Sequence, residues 1–135
     1  TGNEKLKTIF RESICRPVQN EIFTLAPGFR NNPRLLFSLL QDTIKNAAPD
    51  YILPIIRQGI ADGSIETEYP EQLAELILLA ANVWLNPMIF DSTVEESCRK
   101  FMVFRQMLQG FGLDIMDQEM LDRLKELTEI YQKNK

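Results

Sequence analysis

The feature that most constrains the fold of this chain is a long uncharged stretch that follows Glu75. The next fifteen residues carry no charged side chain. In a helix, the apolar side chains between Leu73 and Met88 would cover roughly 260° of the circumference. Only Asn82 and Asn86 interrupt that surface, as a polar strip. A helix that is apolar over most of its surface is buried on several sides, so we expect this segment to run through the middle of a domain.

Helical spacing of apolar residues and capping signals predict six helices in total. Asn32 before Pro33 is a typical N-cap pair, and Gly63 is placed as the left-handed residue that ends a helix. Pro17 interrupts the first helix and predicts either a kink or two consecutive helices. No stretch alternates apolar and polar residues as a half-buried strand does. We expect an all-α domain, a six-helix bundle with orthogonal or antiparallel packing, its helices spanning about 6–23, 32–46, 50–62, 70–88, 93–110 and 117–132.

Composition and charge narrow the class of protein. The 135 residues are enough for one domain with a sizeable core. The formal charge is −4, with 15 basic and 19 acidic residues and no dense cluster of Lys and Arg, which argues against a nucleic-acid-binding domain. Cys15 and Cys98 lie far apart and no signal peptide is present, so we expect a cytoplasmic protein. The most apolar stretch falls short of the about 20 residues that a membrane span needs, so we expect no membrane partner.

The chain contains few residues that could act in catalysis. It contains no histidine, which removes the commonest general base and the commonest metal ligand. The pair Asp114 and Asp117 lies where helix caps favour acids, and Asp122 and Glu126 lie on a charged face. The two cysteines have no histidine partner, which favours a structural role, and there is no phosphate-binding glycine loop. We expect no enzyme, no catalytic residue, no metal and no cofactor.

The two C-terminal helices carry the spacing of a helix-bundle seam. Apolar side chains on the helix predicted at 93–110 cover roughly 220°, which is wider than one surface-facing stripe needs. The apolar side chains follow one another at alternating spacings of four and three residues, which is typical of packed helix bundles. Either the seam packs only on the core of this chain, or it contacts a second copy across a two-fold axis. The candidate dimer interface consists of Val94, Cys98, Phe101, Arg105, Leu108, Met120, Leu124, Leu127 and Tyr131.

Several aromatic and flexible apolar side chains lie on core-directed helix faces. Each of them is compatible with an ordinary core position, and together they are also compatible with an apolar ligand cavity. Asn82 and Asn86 are then either polar anchors inside that cavity or exposed residues. The candidate pocket consists of Phe10, Ile14, Phe23, Phe37, Leu40, Ile56, Trp84, Met88 and Phe104.

A recognisable pattern spans the third and fourth predicted helices. Residues 55–65 read IIRQGIADGSI, and residues 68–78 read EYPEQLAELIL. This resembles the "IIxQGIxxGxI…xxPExxAxLIL" segment of TetR-family transcriptional regulators. The family often has Asp or Asn before the proline as an N-cap, whereas this chain has Tyr69. The helix order extends the resemblance over essentially the whole chain.

The resemblance implies that residues 1–135 are the effector-binding and dimerisation domain of a TetR-like repressor. In that family the domain binds a small molecule and homodimerises through its last two helices, as a four-helix bundle. The effector changes the separation of two N-terminal helix-turn-helix heads, which are not in this chain. DNA is therefore a partner only through that missing domain. The chain opens Thr-Gly-Asn-Glu without Met, and we expect it to be a piece of a longer protein.

Two further expectations concern the ligand and the way in which it acts. The absence of histidine and the scarcity of charge near the candidate pocket predict an apolar or amphipathic effector. Pro17 is the expected compliant point in the coupling between the pocket and the opening helix. The alternative function is a helical interaction module or hydrophobic-ligand carrier that is unrelated to transcription, using the same cavity or the same seam.

Overall fold

The computed structural model describes residues 1–15, 32–87 and 89–133, with only the backbone of Cys15. Over these residues the protein has five helices and no strand, which confirms the all-α prediction. Helix α1 is Gly2–Cys15, and α2 runs without a break through Pro33–Asp42, Thr43–Ile52 and Leu53–Asp62. Helix α3 comprises Pro70–Leu79 and Ala80–Trp84, α4 is Val94–Gly110, and α5 is Gln118–Lys133. The predicted kink at Pro17 lies outside the described residues.

The two helices predicted at 32–46 and 50–62 are one continuous helix in the structure. Its middle, Thr43–Ile52, is π-helical, and the backbone N–H of Leu53 donates to the carbonyl of Ala48, five residues earlier. Pro49 lies inside this stretch. A proline removes a donor and crowds the carbonyl four residues back, which breaks an ordinary α-helix. Here the wider π turn continues the helix past the proline, so the predicted break between residues 46 and 50 is wrong.

The predicted helix ends are confirmed where a specific cap was named. The side chain of Asn32 accepts a hydrogen bond from the backbone N–H three residues on, at 3.1 Å. Gly63 ends α2 with φ of 82°, in the left-handed region that favours glycine. Asp117 caps α5 in the same way as Asn32 caps α2, at 2.9 Å. Tyr69 provides no side-chain cap for α3, as its residue type predicted.

The long uncharged segment is buried on only one side. Leu73, Ala74 and Ile77 of α3 lie in the core, against the π-helical middle of α2. On its other side Leu76 is 43% exposed and Trp84 is 38% exposed. The expectation that this helix is surrounded within the domain is therefore wrong over the described residues. One face of α3 remains apolar and uncovered.

The first turn of α1 is held against the end of α2 by backbone contact and by polar caps. A Cβ added to Gly2 would lie 2.3 Å from the backbone nitrogen of Gly59, so the two helices approach more closely than any side chain permits. The N–H of Gly2 donates to Asp62 at 2.8 Å, and that of Asn3 donates to the Ser64 hydroxyl at 3.1 Å. Hydrogen bonds from Ser64 and Gly2 hold the pKa of Asp62 below its usual range.

The rest of α1 is tied to α5. Arg11 pairs with Asp117 at 3.1 Å and also with Glu119. The Arg123 guanidinium donates to the backbone carbonyl of Ile14 at 3.2 Å. These groups are partly exposed, so each ion pair contributes little to stability. Their effect is to fix the direction of α1, which forms one wall of the cavity described below.

We predict that Gly59→Ala lowers the free energy of unfolding by about 1–3 kcal/mol, because the new methyl overpacks a closed contact. It would lie 2.3 to 2.9 Å from three side-chain carbons of the buried Ile65. Gly110→Ala is the matched control, since its Cβ meets nothing within 4 Å. That control should be neutral or stabilise by up to about 1 kcal/mol. Urea unfolding of both variants measures the difference, and equal effects would refute the close-contact account.

Candidate functional site

A cavity of about 570 Å³ lies among the helices of the domain. This volume falls within the range typical of small-molecule sites, about 300–1,000 Å³. All five helices contribute to its walls, and most of the wall is apolar. The cavity is lined by Ile9, Phe10, Ser13, Ile14, Leu39, Ile52, Leu78, Ala81, Asn82, Leu85, Asn86, Pro87, Phe104, Met116, Leu124 and Leu127.

Helix α3 shapes the cavity through its π-helical last turn, Ala80–Trp84. The N–H of Leu85 donates to the carbonyl of Ala80 at 2.9 Å, five residues back. This wider turn places Ala81 and Asn82 in the cavity wall. The Asn86 side-chain amide then donates to the backbone carbonyl of Asn82 at 3.3 Å. Because π turns are rare and frequent at functional sites, their presence in two of the wall-forming helices supports a binding role.

The cavity has an apolar floor and a polar rim. Phe10, Phe104 and Met116 are buried within it, and the two phenyl rings lie 6.5 Å apart between centroids. The exposed lining residues are Ser13, Asn82 and Ile9, two of them polar, and they mark the side of the cavity that opens towards solvent. None of the lining residues that the structure describes is ionisable. This arrangement suits a molecule with an apolar body and an uncharged polar end.

Three of the predicted pocket residues, Phe10, Ile14 and Phe104, line the cavity. Phe23 and Met88 lie outside the residues that the structure describes. The four other side chains are not among the residues that line this cavity. Ile56 is fully buried in the core, Phe37 is 62% exposed, Leu40 is half-buried away from the cavity, and Trp84 is 38% exposed.

Periodicity pointed to the right helices but not to all the right residues. Leu39, Ile52 and Leu78 line the cavity and were not singled out, because aliphatic side chains on a core face carry no signal that separates cavity from core. Ala81 was also missed. Its small size was no signal, because Ala74 and Ala80 of the same helix are equally small and are buried away from the cavity wall. The role considered for Asn82 and Asn86 as polar groups in the cavity agrees with their positions in its wall.

The predicted dimer seam is occupied by the chain itself. Its larger side chains are buried where α4 and α5 pack on each other and on the core, and Leu124 lines the cavity. The outward side of α5 is almost entirely polar and charged, so it offers no apolar face to a partner. The buried side chains of the seam thus pack within this chain over the described residues. The seam residues buried in this way are Phe101, Leu108, Met120, Leu127 and Tyr131, while Val94, Cys98 and Arg105 are half-buried.

A different apolar surface is exposed on α3 and α4, and we call it the α3–α4 surface. Lys100 of α4 connects two aromatic rings of this surface. Its ammonium lies 5.4 Å from the ring centroids of both Trp84 and Phe90. Such cation–π contacts hold the two rings and the lysine together on the outside of the domain. Val103 lies one turn further along α4 and is also exposed. The α3–α4 surface comprises the exposed residues Leu76, Trp84, Phe90 and Val103 and the half-buried residues Leu79, Val83 and Lys100, with Phe90 on the segment between the two helices.

Neither a metal-binding cluster nor a membrane span is found in the described ranges 1–15, 32–87 and 89–133. No three His, Cys, Asp or Glu side chains there come together in a way that could hold an ion. None of the helices in those ranges combines the length and the apolar character needed to cross a bilayer. Comparison with known proteins gives no match to a family model, a curated protein or a solved structure.

Proposed function

We propose that this chain is a non-catalytic, effector-binding and dimerising domain of a TetR-like regulator. The observation that carries the proposal is the cavity of about 570 Å³, with its apolar floor and its uncharged polar rim. Cavities of this size and character bind small apolar or amphipathic molecules. The sequence resemblance around Gly63 and Pro70 supports the regulatory context. Binding to DNA belongs, in this proposal, to a domain outside this chain.

The position of α1 suggests how an effector would act. Its first turn is anchored to the end of α2 through Asp62 and Ser64, whereas Phe10 and Ile14 further along line the cavity. An effector that contacts the far end of α1 can tilt the helix about the anchored turn. A ligand shifts such an equilibrium only by its difference in affinity for the two orientations of α1. In the full regulator, that tilt would change the separation of the heads.

We also propose that two copies associate through the α3–α4 surface rather than through the seam between α4 and α5. An isologous dimer places the same patch on both subunits, so a patch suits this role when it does not repel itself. Residues 76–90 carry no charge. The ammonium of Lys100 lies over the rings of Trp84 and Phe90 and donates to the Trp84 carbonyl at 3.1 Å. Large exposed apolar patches on soluble domains commonly mark such interfaces.

We predict that Ala81→Trp abolishes ligand binding by filling the cavity. Ala81 is half-buried in the cavity wall, and an indole there occupies the volume that a ligand would take. Nile red, an uncharged apolar dye, serves as the probe, and its fluorescence titration gives the Kd. We expect a loss of affinity of at least about tenfold, corresponding to about 1.4 kcal/mol.

Ala61→Trp is the matched control for the filled cavity. Ala61 is exposed on α2 and does not line the cavity, so the same substitution should leave the Kd unchanged. Circular dichroism of both variants verifies that they are folded. If the dye binds both variants as tightly as it binds the unmodified chain, the cavity is not its site and the proposed function fails.

We predict that Leu76→Glu converts the dimer into a monomer. Leu76 is 43% exposed on the α3–α4 surface, and two buried, unpaired carboxylates would face each other across the two-fold axis. Leu35→Glu is the matched control, since Leu35 is 47% exposed on the first turn of α2. Light scattering should give twice 15.6 kDa for the unmodified chain and for the control, and 15.6 kDa for Leu76→Glu. A dimeric Leu76→Glu variant, or a monomeric unmodified chain, would contradict the proposed interface.

A further inference from the structure

We propose that the cavity selects single-chain amphipaths with an uncharged polar end, and that Asn82 is the residue that distinguishes the polar end. This inference rests on the proposed function, because it assumes that the cavity is a ligand site. It goes further in naming the chemical class of the ligand and the direction in which it enters. The class is that of aliphatic alcohols, amides and related neutral compounds.

The direction follows from the burial of the lining residues. Phe10, Phe104 and Met116 are buried at the floor, whereas Ser13 and Asn82 belong to exposed positions at the rim. An apolar chain gains most by leaving water, so it lies on the floor. A polar end loses hydrogen bonds with water unless it finds new partners, so it lies at the rim. A ligand therefore enters with its chain first.

The choice of an uncharged end follows from what the rim offers. The Ser13 hydroxyl and the carboxamides of Asn82 and Asn86 can each donate and accept hydrogen bonds. The polar end of an alcohol or an amide can also do both, so it can pair with these groups. None of the described lining residues carries a charge that could pair with a carboxylate or an ammonium. A charged end that is partly desolvated without a counter-charge loses binding free energy.

One charged group beside the cavity wall, Arg123, is already engaged. Arg123 donates to the backbone carbonyl of Ile14, a lining residue, at 3.2 Å. The same guanidinium pairs with the carboxylate of Glu126 at 2.9 Å. Its charge is thus neutralised on the α5 side of the wall. It supplies no counter-charge at the Asn82 rim.

Asn82 is the better placed of the two asparagines to contact a ligand. The side-chain amide of Asn86 is bonded to the backbone carbonyl of Asn82, which fixes its orientation. Asn82 itself projects from the π-helical turn of α3, beside Ala81. Replacing it with the isosteric aspartate adds a negative charge at the rim with little change in shape. That substitution should create a preference for a cationic over an anionic ligand.

The test is a competition experiment on the full 135-residue chain at pH 7. Decanol, decanamide, decanoate and decylammonium share one apolar chain and differ only in their polar ends. Each displaces Nile red, and the displacement gives its Kd. We expect decanol and decanamide to bind about tenfold more tightly than decanoate and decylammonium. Equal affinities for all four, or a charged compound that binds best, would overturn the inference.

Two variants extend the test to Asn82. With Asn82→Asp, decylammonium should bind at least about tenfold more tightly than decanoate, because the new carboxylate pairs with the ammonium. Gln106→Glu is the matched control, since it adds the same charge at an exposed position on α4 outside the cavity, and it should leave the order unchanged. An Asn82→Asp variant that keeps the order of the unmodified chain would overturn the role of Asn82.

The failure of this inference differs from the failure of the proposed function. If Nile red binds, Ala81→Trp abolishes its binding, and the four competitors are equal, then the cavity is a ligand site without selection for an uncharged end. If Nile red and the competitors do not bind the folded chain at all, the proposed function fails and the inference fails with it.

Discussion

The docking of α1 onto the end of α2 is the contact on which the rest of the structure depends. Gly2 and Gly59 allow the two backbones to touch, and Asp62 and Ser64 satisfy the first N–H groups of α1. The first N–H groups of a helix have no carbonyl acceptor within that helix. The neighbouring segment therefore has to supply the acceptors for α1. With its first turn fixed in this way, α1 extends along α5 and forms one wall of the cavity. Without that contact the cavity would lose its α1 wall.

Helix α3 performs two tasks with two different faces. Its inner face packs on the π-helical part of α2 and, through Ala81 and Asn82, forms part of the cavity wall. Its outer face, with Leu76 and Trp84, is apolar and exposed. A helix with both features connects cavity and surface directly, because a ligand beside Ala81 contacts the same turn that carries Trp84. In the proposed function, effector binding and dimer geometry would therefore be coupled through α3.

The sequence was sufficient for the helical class, for the cap at Asn32 and for the stop at Gly63, since these depend on local chemistry. It was misleading between residues 46 and 50, where a break was predicted, because whether a helix ends or continues through a π turn depends on what packs around it. It also could not locate the partner of the α4–α5 seam. Heptad spacing shows that a helix face packs on another helix, but the same spacing results from an internal and from an external neighbour.

The same limit applies to the cavity. Phe10 and Phe104 were recognisable because aromatic side chains on core faces are common in apolar pockets, whereas Leu78 and Ile52 look like any core residue. Trp84 was placed in the pocket by its residue type and lies outside it. A one-dimensional pattern gives the direction of a side chain around its own helix. Whether that direction meets packed atoms or open volume depends on the crossing of all five helices.

The central claim is that the cavity holds a small uncharged amphipath, and methyl NMR tests it most directly. Isoleucine δ1-methyl signals are recorded while the chain is titrated with decanol. Ile9 and Ile52 line the cavity, whereas Ile65 and Ile115 are buried elsewhere. The account predicts saturable shifts for Ile9 and Ile52, with Ile65 and Ile115 unchanged. Shifts that are absent, or that are largest at Ile65 and Ile115, would contradict it.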